Sequence, residues 1–267
     1  MKIHPTAIVS PQARLADDVE IGACACIDGE VEIGARTIVQ SHAVIEGAVR
    51  IGEENLIGHG AIIGGAPQDL SFAPETKSGV TIGRGNTIRE HVTIHRGTAP
   101  DSTTTIGDHN FLMVGAHLGH NCSIGYNVII ANNCLLGGYV TVEDGAFLGG
   151  GCVFHQFTRI GRLAITQGKS GFGKDLPPYV VGADVNKVVG LNVVGLRRAG
   201  LTTEDRAEIK AAFRLLYESG LNVSQALAEA RSRSWRGPAQ EFFDFVAKAK
   251  QRGICGMRRA TKNAPNE

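Results

Sequence analysis

Two histidines three positions apart are the strongest candidates for chemistry in this sequence. His117 and His120 occur in the segment GAHLGHNC. A neutral imidazole can take a proton from a hydroxyl group near neutral pH, and nearby glycine N–H groups can stabilise an oxyanion. The alternative is that both rings have only structural roles. Two histidines this close together favour an acid–base site.

Short repeated strands must position these histidines. An aliphatic residue recurs every six positions up to Ile160 with two breaks, in hexads such as VEIGAC, VEIGAR and VRIGEE. This period fits neither an amphipathic helix nor an alternating strand. It fits one short strand and one turn per hexad, with three hexads closing a coil that stacks at a spacing of about 4.8 Å. The pattern predicts a mainly β fold, a parallel β-helix of hexapeptide repeats over residues 1–190.

Two insertions interrupt the repeat, at residues 67–79 and 98–103. Long loops on a rigid scaffold are often functional. Counting hexads by threes predicts that both insertions leave the same face as His120. The count also stacks the following residues in one column: Arg96, His120, Gly138 and Gln156.

Helical patterns replace the repeat after about Asp175. The segment LPPYVVGADV reads as an extended linker, and residues 191–267 are predicted to form a C-terminal α-helical domain. The expected helices run from Thr202 or Thr203 to Tyr217, from Ser224 to Arg231, and from Gly237 to about Lys250. The tail after Arg252 is expected to be frayed.

Charge and composition bear on the binding partners and the location of the protein. The net charge is +1, which gives no argument for nucleic acid, and the N-terminus shows no signal-peptide pattern. No apolar run reaches the roughly 20 residues of a transmembrane segment, so we expect a cytoplasmic protein. Arg231, Arg233 and Arg236 belong to a basic C-terminal region that either docks an acidic partner or forms a solvated helix surface.

The sequence resembles the cytoplasmic UDP-N-acetylglucosamine 3-O-acyltransferases, which open lipid A biosynthesis. The resemblance runs nearly end to end through IHPTAIV, GGAPQDL, IREHVTIHRGT, HLGHNC, IIANNCLLGG, FHQFTRIG and DLPPYVV. It implies a left-handed β-helix and a homotrimer with sites in clefts between subunits. It also implies transfer of a (3-hydroxy)acyl chain from acyl carrier protein to the 3-position of UDP-N-acetylglucosamine. No cofactor is expected, because phosphopantetheine arrives with the carrier protein.

The resemblance also implies roles for individual residues. His120 would be the general base for the acceptor sugar, and the Gly138 N–H would bind the thioester oxyanion. Asp69 would hold the acylamino group of the sugar. The remaining substrate-binding positions are Gln68, His117, Tyr139, His155, Gln156, Asn192 and Arg198, and Gly168 would measure acyl-chain length.

Several positions depart from the pattern of the family. An Asp, a His and a Lys of the family are replaced by Asn121, Tyr139 and Ser71, respectively. Further departures are Val194, Ala199, Gln167 and Lys169. Most of them lie at positions that contact the substrates in the family. This indicates that the groups for acyl transfer are retained and that the contacts to the sugar have changed.

Three alternatives stay open. The acceptor could be another nucleotide sugar, such as a 3-amino sugar that is N-acylated, or the protein could be a non-catalytic trimeric scaffold. A zinc site is the third alternative, since three histidines can bind zinc. We expect no metal, because the histidine spacing differs from that of the hexapeptide carbonic anhydrases. The candidate ligands would be His95, His117, His120 and His155.

Overall fold

The computed structural model describes residues 1–249 and 252–258, and most of that chain forms a three-sided prism of short parallel strands. Sheet I contains Lys2–Ile3, Glu20–Ile21, Ile38–Val39, Leu56–Ile57, Thr87–Ile88, Phe111–Leu112, Ile129–Ile130, Phe147–Leu148, Ile165–Thr166, Val180–Ala183, Lys187–Leu191 and Gly256–Met257. Sheet II contains Ile8–Val9, Cys26–Asp28, Val44–Glu46, Ile62–Gly65, Thr93–His95, His117–Leu118, Leu135–Leu136, Val153–Phe154 and Gly171–Phe172. Sheet III contains Arg14–Leu15, Val31–Ile33, Ala48–Ile51, Gly79–Ile82, Thr103–Ile106, Ser123–Ile124, Thr141–Val142 and Arg159–Ile160.

The aliphatic residue of each hexad points into the prism. Ile94 pairs with Leu118, Leu118 with Leu136, and Leu136 with Phe154, so these side chains stack along the axis. Ile63, Ile94, Leu118 and Leu136 are fully buried. The predicted register and the shared face are confirmed, because one continuous apolar column has to stay inside the coils.

An asparagine ladder occupies the corner between sheets III and I. Asn55 Oδ1 accepts from the Asn86 N–H at 2.9 Å, and Asn86 Oδ1 accepts from the Asn110 N–H at 2.8 Å. Asn110 Oδ1 then accepts from the Val128 N–H at 2.7 Å. These buried amides satisfy corner N–H groups that have no strand partner, so the coils stay in register across the second insertion.

Four helices follow the prism. They are α1 (Val193–Arg198), α2 (Thr203–Tyr217), α3 (Val223–Arg231) and α4 (Gly237–Ala247). Thr202 and Asn222 form capping boxes at the starts of α2 and α3, which fixes those boundaries. Helix α2 agrees with its prediction, α3 begins one residue before Ser224, and α4 ends before Lys250. Helix α1 was not expected from the sequence.

Two expectations about irregular segments were wrong. The expected linker contains Val180–Ala183, which pairs with Ile165–Thr166 and continues sheet I, because its valines and alanine can still cover the core. The expected frayed tail contains Gly256–Met257, which pairs with Lys187–Leu191. Backbone pairing and burial of Cys255 order this stretch, whereas residues 259–267 lie outside the described residues.

Helix α4 is fastened to the last coils through Arg159. The guanidinium of Arg159 donates to Asp175 Oδ2 at 2.6 and 2.8 Å and to the Phe245 carbonyl at 3.0 Å. It also lies 4.2 Å from the centroid of the Phe245 ring. Nearby, the Tyr179 hydroxyl donates to Glu241 at 2.6 Å. These partly buried polar contacts fix the helices against the end of the prism. No helix in the described chain has the length and apolar character needed to cross a membrane.

Candidate active site

The candidate site lies on the prism edge between sheets II and III, which we call the site edge. It comprises the corner residues 96–98, 119–122, 137–139 and 155–157 of successive coils. Both insertions, 67–79 and 98–103, also leave the prism along this edge. The predicted convergence of the loops with His120 is confirmed.

Hydrogen bonds fix the protonation pattern of the His120 ring. The Thr98 N–H can only donate, and it lies 3.0 Å from Asn121 Oδ1, so the amide oxygen must face this way. The same oxygen lies 3.0 Å from His120 Nδ1. Nδ1 must therefore carry the proton and donate, and Nε2 keeps its lone pair. An imidazole held in this tautomer can act as a general base through Nε2.

Gly138 lies against this nitrogen in the next coil. A β-carbon at position 138 would lie 2.4 Å from His120 Nε2 and 2.3 Å from Cε1, so only glycine fits beside the ring. Within the described chain the Gly138 N–H has no hydrogen-bond acceptor, while the flanking Gly137 and Tyr139 N–H groups bond to Phe154 and His120 carbonyls. A free donor beside a base is the arrangement that an oxyanion requires.

Tyr139 and Phe157 extend the site edge beyond His120. The Tyr139 ring stacks on Phe157 with centroids 4.8 Å apart and meets the His120 ring edge-on at 5.2 Å. Asn121, Tyr139 and Phe157 have φ values of 58°, 61° and 65°, a conformation that costs non-glycine residues about 1 kcal/mol or more. The aromatic stack offsets part of this strain. The two rings form the apolar wall of a cavity of about 650 Å³ that also touches Arg252.

His117 lies three residues before His120, in the strand that leads into the same corner, and its ring is partly buried. Its Nδ1 lies 2.7 Å from Thr93 Oγ1, and its ring meets His95 edge-on at 5.0 Å. Burial lowers the pKa of His117 and lowers that of His95 to about 4, with smaller effects of His117 and His120 on His95. Both rings are therefore neutral at pH 7 and can donate or accept hydrogen bonds near His120.

Acidification should expose the effect of His95 on stability. Its pKa is lowered in the folded chain, so its contribution is complete above pH 6.5 and is lost as the pH falls towards about 4. We expect a loss of about 1 kcal/mol, reduced by the partial exposure of the ring. Urea unfolding at pH 7 and pH 4.5, at fixed protein concentration, should show a smaller acid loss for His95→Gln than for wild type. Equal losses of unfolding free energy in wild type and His95→Gln would contradict this expectation. His59→Gln, which removes an exposed histidine, is the control and should lose as much as wild type.

The first insertion carries Asp69 towards the site edge. Ser71 donates to Asp69 Oδ1 through its hydroxyl at 2.7 Å and its N–H at 2.9 Å, and these bonds lower the pKa of the carboxyl. The positive form of His120 lowers this pKa further, which places the two groups within electrostatic range. Arg96 holds the loop by donating to the Pro74 carbonyl at 3.1 Å. Gln68 is exposed on the same loop.

His155 and Gln156 lie exposed on the site edge two coils beyond His120. Arg252, from the C-terminal segment, contacts His155 Nδ1 and donates to the Gln156 carbonyl at 3.2 Å. The same Nδ1 lies 3.3 Å from the Gln156 carbonyl oxygen. Arg252 and Gln156 together hold the His155 ring at the site edge.

The structure does not bring three predicted site residues to His120 within one chain. Asn192 caps α1 by accepting from the Gly195 N–H at 3.0 Å and donates to the Leu163 carbonyl at 2.9 Å, at the corner between sheets III and I. Arg198 ends the same helix. Gly168 lies at the third corner, between sheets I and II. A site that uses all of them needs more than one copy of the chain.

Across the described residues, no three His, Cys, Asp or Glu side chains are grouped to hold a metal ion. The rings of His117, His120 and His155 bond to Thr93, Asn121 and Arg252, respectively, and the His95 ring packs edge-on against His117. The geometry therefore fits acid–base chemistry at His120 better than a histidine metal centre.

Sequence reasoning gave no role to Thr98, Phe157 or Arg252. Hexad counting could have found Phe157, since it occupies the same place in its repeat as Asn121 and Tyr139. Thr98 lies in an insertion and Arg252 in the C-terminal segment, and both contact the site edge. The hexapeptide repeat does not extend to either segment, so counting could not place them.

The chain is similar to known proteins in both sequence and fold. Residues 175–255 match the family profile "Udp N-acetylglucosamine O-acyltransferase; Domain 2", and residues 103–138 match "Bacterial transferase hexapeptide (six repeats)". The chain is 44% identical over 261 residues to the acyl-[acyl-carrier-protein]–UDP-N-acetylglucosamine O-acyltransferase of Paraburkholderia phymatum, covering 95% of this chain and 98% of that protein. It is 46% identical over 234 residues to the protein of the same name from Syntrophobacter fumaroxidans, covering 86% and 90%.

Solved structures are similar to the chain over nearly its whole length. The UDP-N-acetylglucosamine acyltransferase of Francisella novicida superposes with a TM-score of 0.90 at 35% identity, covering 96% of this chain and 94% of that one. LpxA from Acinetobacter baumannii superposes with a TM-score of 0.89 at 38% identity, covering 94% and 98%. The fold and the site edge define a hexapeptide-repeat acyltransferase. The chain belongs to the acyl-[acyl-carrier-protein]–UDP-N-acetylglucosamine O-acyltransferase family.

Proposed function

We propose that this enzyme transfers a (3-hydroxy)acyl chain from acyl carrier protein to the 3-hydroxyl of UDP-N-acetylglucosamine, the first step of lipid A biosynthesis. The observation that carries the proposal is the pairing of a free His120 Nε2 with the unoccupied N–H of Gly138. The family's relatives, named for these substrates, support the choice of donor and acceptor.

The reaction follows from these two groups. His120 Nε2 takes the proton of the sugar hydroxyl as its oxygen attacks the thioester carbonyl carbon. The Gly138 N–H donates to the oxyanion that forms, and Asn121 Oδ1 stabilises the imidazolium through Nδ1–H. Collapse of the intermediate breaks the C–S bond, and the proton passes from His120 to the leaving phosphopantetheine thiolate. The products are the sugar ester and the free thiol of the carrier protein.

Other site-edge residues would bind rather than react. Asp69, oriented by Ser71, accepts a hydrogen bond from the acylamino N–H of the sugar, with Gln68 and His117 beside it. Tyr139, His155 and Gln156 line the path towards the nucleotide or the donor. Asn192 and Arg198 would contact a substrate held by a neighbouring subunit, and Gly168 would limit the acyl chain.

The outer faces of the prism support a homotrimer. On sheet II, the outward positions Ile62, Leu135 and Val153 are 38%, 44% and 48% exposed. Sheet I presents another apolar row: Ile38, Phe111, Ile129, Phe147 and Ile165. Sheet III presents only polar residues at the equivalent positions: Arg14, Glu32, Arg50, Thr81, Thr105, Ser123, Thr141 and Arg159.

Two adjacent apolar faces and one polar face suit a closed ring. If sheet I of one copy packs on sheet II of the next, three copies bury both apolar faces and leave sheet III in water. Leu135 and Val153 flank the site edge, so the neighbour would cover one side of the cleft beside His120. Such an arrangement brings Asn192, Arg198 and Gly168 of different copies within reach of the site.

The C-terminal arginines are less available for carrier protein than the sequence suggests. Arg233 donates to Glu229 at 2.6 Å, and the Arg236 side chain lies 3.7 Å from Asp205. Exposed pairs of this kind contribute little to stability but reduce the local positive charge. Arg231, at the end of α3, is exposed beside them. We still assign acidic acyl carrier protein as the donor partner, on the family relationship.

A competition assay tests the acceptor. The protein is given acyl-ACP with equal amounts of UDP-N-acetylglucosamine and its 3-amino analogue, and products are separated by mass spectrometry after mild alkali. We expect mainly the alkali-labile ester, because the relatives at 44–46% identity are named O-acyltransferases. A predominant alkali-stable amide would overturn the proposed acceptor and identify Ser71, Asn121 and Tyr139 as adaptations to an amine.

A further inference from the structure

Thr98, the first residue of the second insertion, contacts the partner of the base with both of its hydrogen-bonding groups. Its N–H and its hydroxyl lie 3.0 and 3.1 Å from Asn121 Oδ1. Its Oγ1 also lies 3.1 Å from the Tyr139 hydroxyl. Thr98 is half-buried, and the Asn121 N–H is held separately by Thr104 Oγ1 at 2.8 Å.

The orientation of the Asn121 amide determines which nitrogen of His120 can act as a base. With the oxygen towards Nδ1, the ring donates through Nδ1–H and Nε2 is free. With the NH₂ group towards Nδ1, the ring must accept there, so its proton moves to Nε2 and the base is lost. An asparagine has one donor side and one acceptor side of nearly equal shape, so something outside the pair must select between them.

Both Thr98 groups favour the productive orientation. The N–H can only donate, and a hydrogen bond from the Tyr139 hydroxyl to Oγ1 leaves the Thr98 hydrogen directed at Asn121 Oδ1. A carboxylate at position 121 would need no such selection, because both of its oxygens accept. The need for Thr98 is therefore tied to asparagine at this position.

We propose that Thr98 is a positioning residue that holds the Asn121 amide so that His120 keeps its proton on Nδ1 and its lone pair on Nε2. The inference rests on the proposed function for its catalytic consequence, although the tautomer itself can be observed without turnover. Thr98 does not touch the reacting atoms; it acts through Asn121.

A double-mutant cycle tests the proposal by activity. Thr98→Val should lower kcat about fivefold with KM changed less than about twofold, since it removes one of two donors worth roughly 1 kcal/mol. Thr98→Ser should stay near wild type, because it keeps the hydroxyl. In an Asn121→Asp background the same Thr98→Val change should cost less than about twofold. Thr105→Val, at an exposed threonine hydrogen-bonded to Ser123, is the matched control.

Equal kcat losses from Thr98→Val in the wild-type and Asn121→Asp backgrounds would overturn the proposal, since a general structural role does not depend on residue 121. A Thr98→Val enzyme with wild-type kcat would also overturn it.

The second readout is ¹⁵N NMR of histidine-labelled protein, with the His120 signals assigned by their absence in His120→Gln. Wild type should show a protonated Nδ1, and Thr98→Val should show mixed tautomers. A pure Nδ1–H form in Thr98→Val would overturn the inference. If wild type transfers no acyl group but the NMR result holds, only the proposed function fails.

Discussion

His120→Ala is expected to lower kcat for acyl transfer by at least about 100-fold and to leave the fold unchanged. General-base catalysis by a positioned side chain contributes roughly 10² to 10⁴ in rate. The His120 ring is the only group within the described site edge whose free nitrogen lies against the Gly138 backbone. Its loss removes the proton acceptor without opening the apolar column, because His120 lies at a corner and not among the inward-facing residues. Initial rates at saturating substrates measure the effect.

His59→Ala is the matched control for this substitution. His59 is an exposed corner histidine on a different edge of the prism, and its loss should leave kcat within about twofold of wild type. Thermal unfolding of both variants checks that the fold is kept. If His120→Ala keeps a tenth or more of the wild-type kcat, His120 is not the base.

Gly138→Ala is expected to be almost as damaging, for a steric reason. The added methyl would lie 2.4 Å from His120 Nε2 and 2.9 Å from Nδ1, so the ring must leave its position. The displaced ring loses both its alignment with the acceptor and its bond to Asn121. A misplacement of about 1 Å can cost roughly 100-fold in rate, and we expect a kcat loss of at least that size.

The comparison variant is Gly237→Ala. Nothing lies within 4 Å of a β-carbon at position 237, which begins α4. This change should leave kcat near wild type. Retention of full activity by Gly138→Ala, with the same melting temperature, would show that the close approach of His120 to Gly138 does not matter for catalysis.

The repeat explains why so much of the site edge could be predicted. An inward aliphatic residue every six positions fixes the corner that each residue occupies, so His120, Gly138 and Gln156 could be stacked by counting. The period depends on backbone geometry and burial alone, and both are local properties of each hexad. It does not determine the hand of the coil, which only the family resemblance implied.

Residues outside the repeat could not be placed in the same way. Thr98 reaches Asn121 because the second insertion folds back on the site edge, and the described tail adds a strand at Gly256–Met257. The family resemblance implied a substrate contact for Asn192, whereas its side chain caps α1 within this chain. Such contacts depend on tertiary packing, which leaves no periodic signal.

The most direct test of the proposed reaction is mass spectrometry of a mixture of purified protein, 3-hydroxyacyl-ACP and UDP-N-acetylglucosamine. We predict a new nucleotide-sugar ion heavier by one acyl group, formed in equal amount to carrier protein with a free thiol. An unchanged mass of UDP-N-acetylglucosamine, with the thioester either intact or merely hydrolysed, would contradict the proposed acyl transfer.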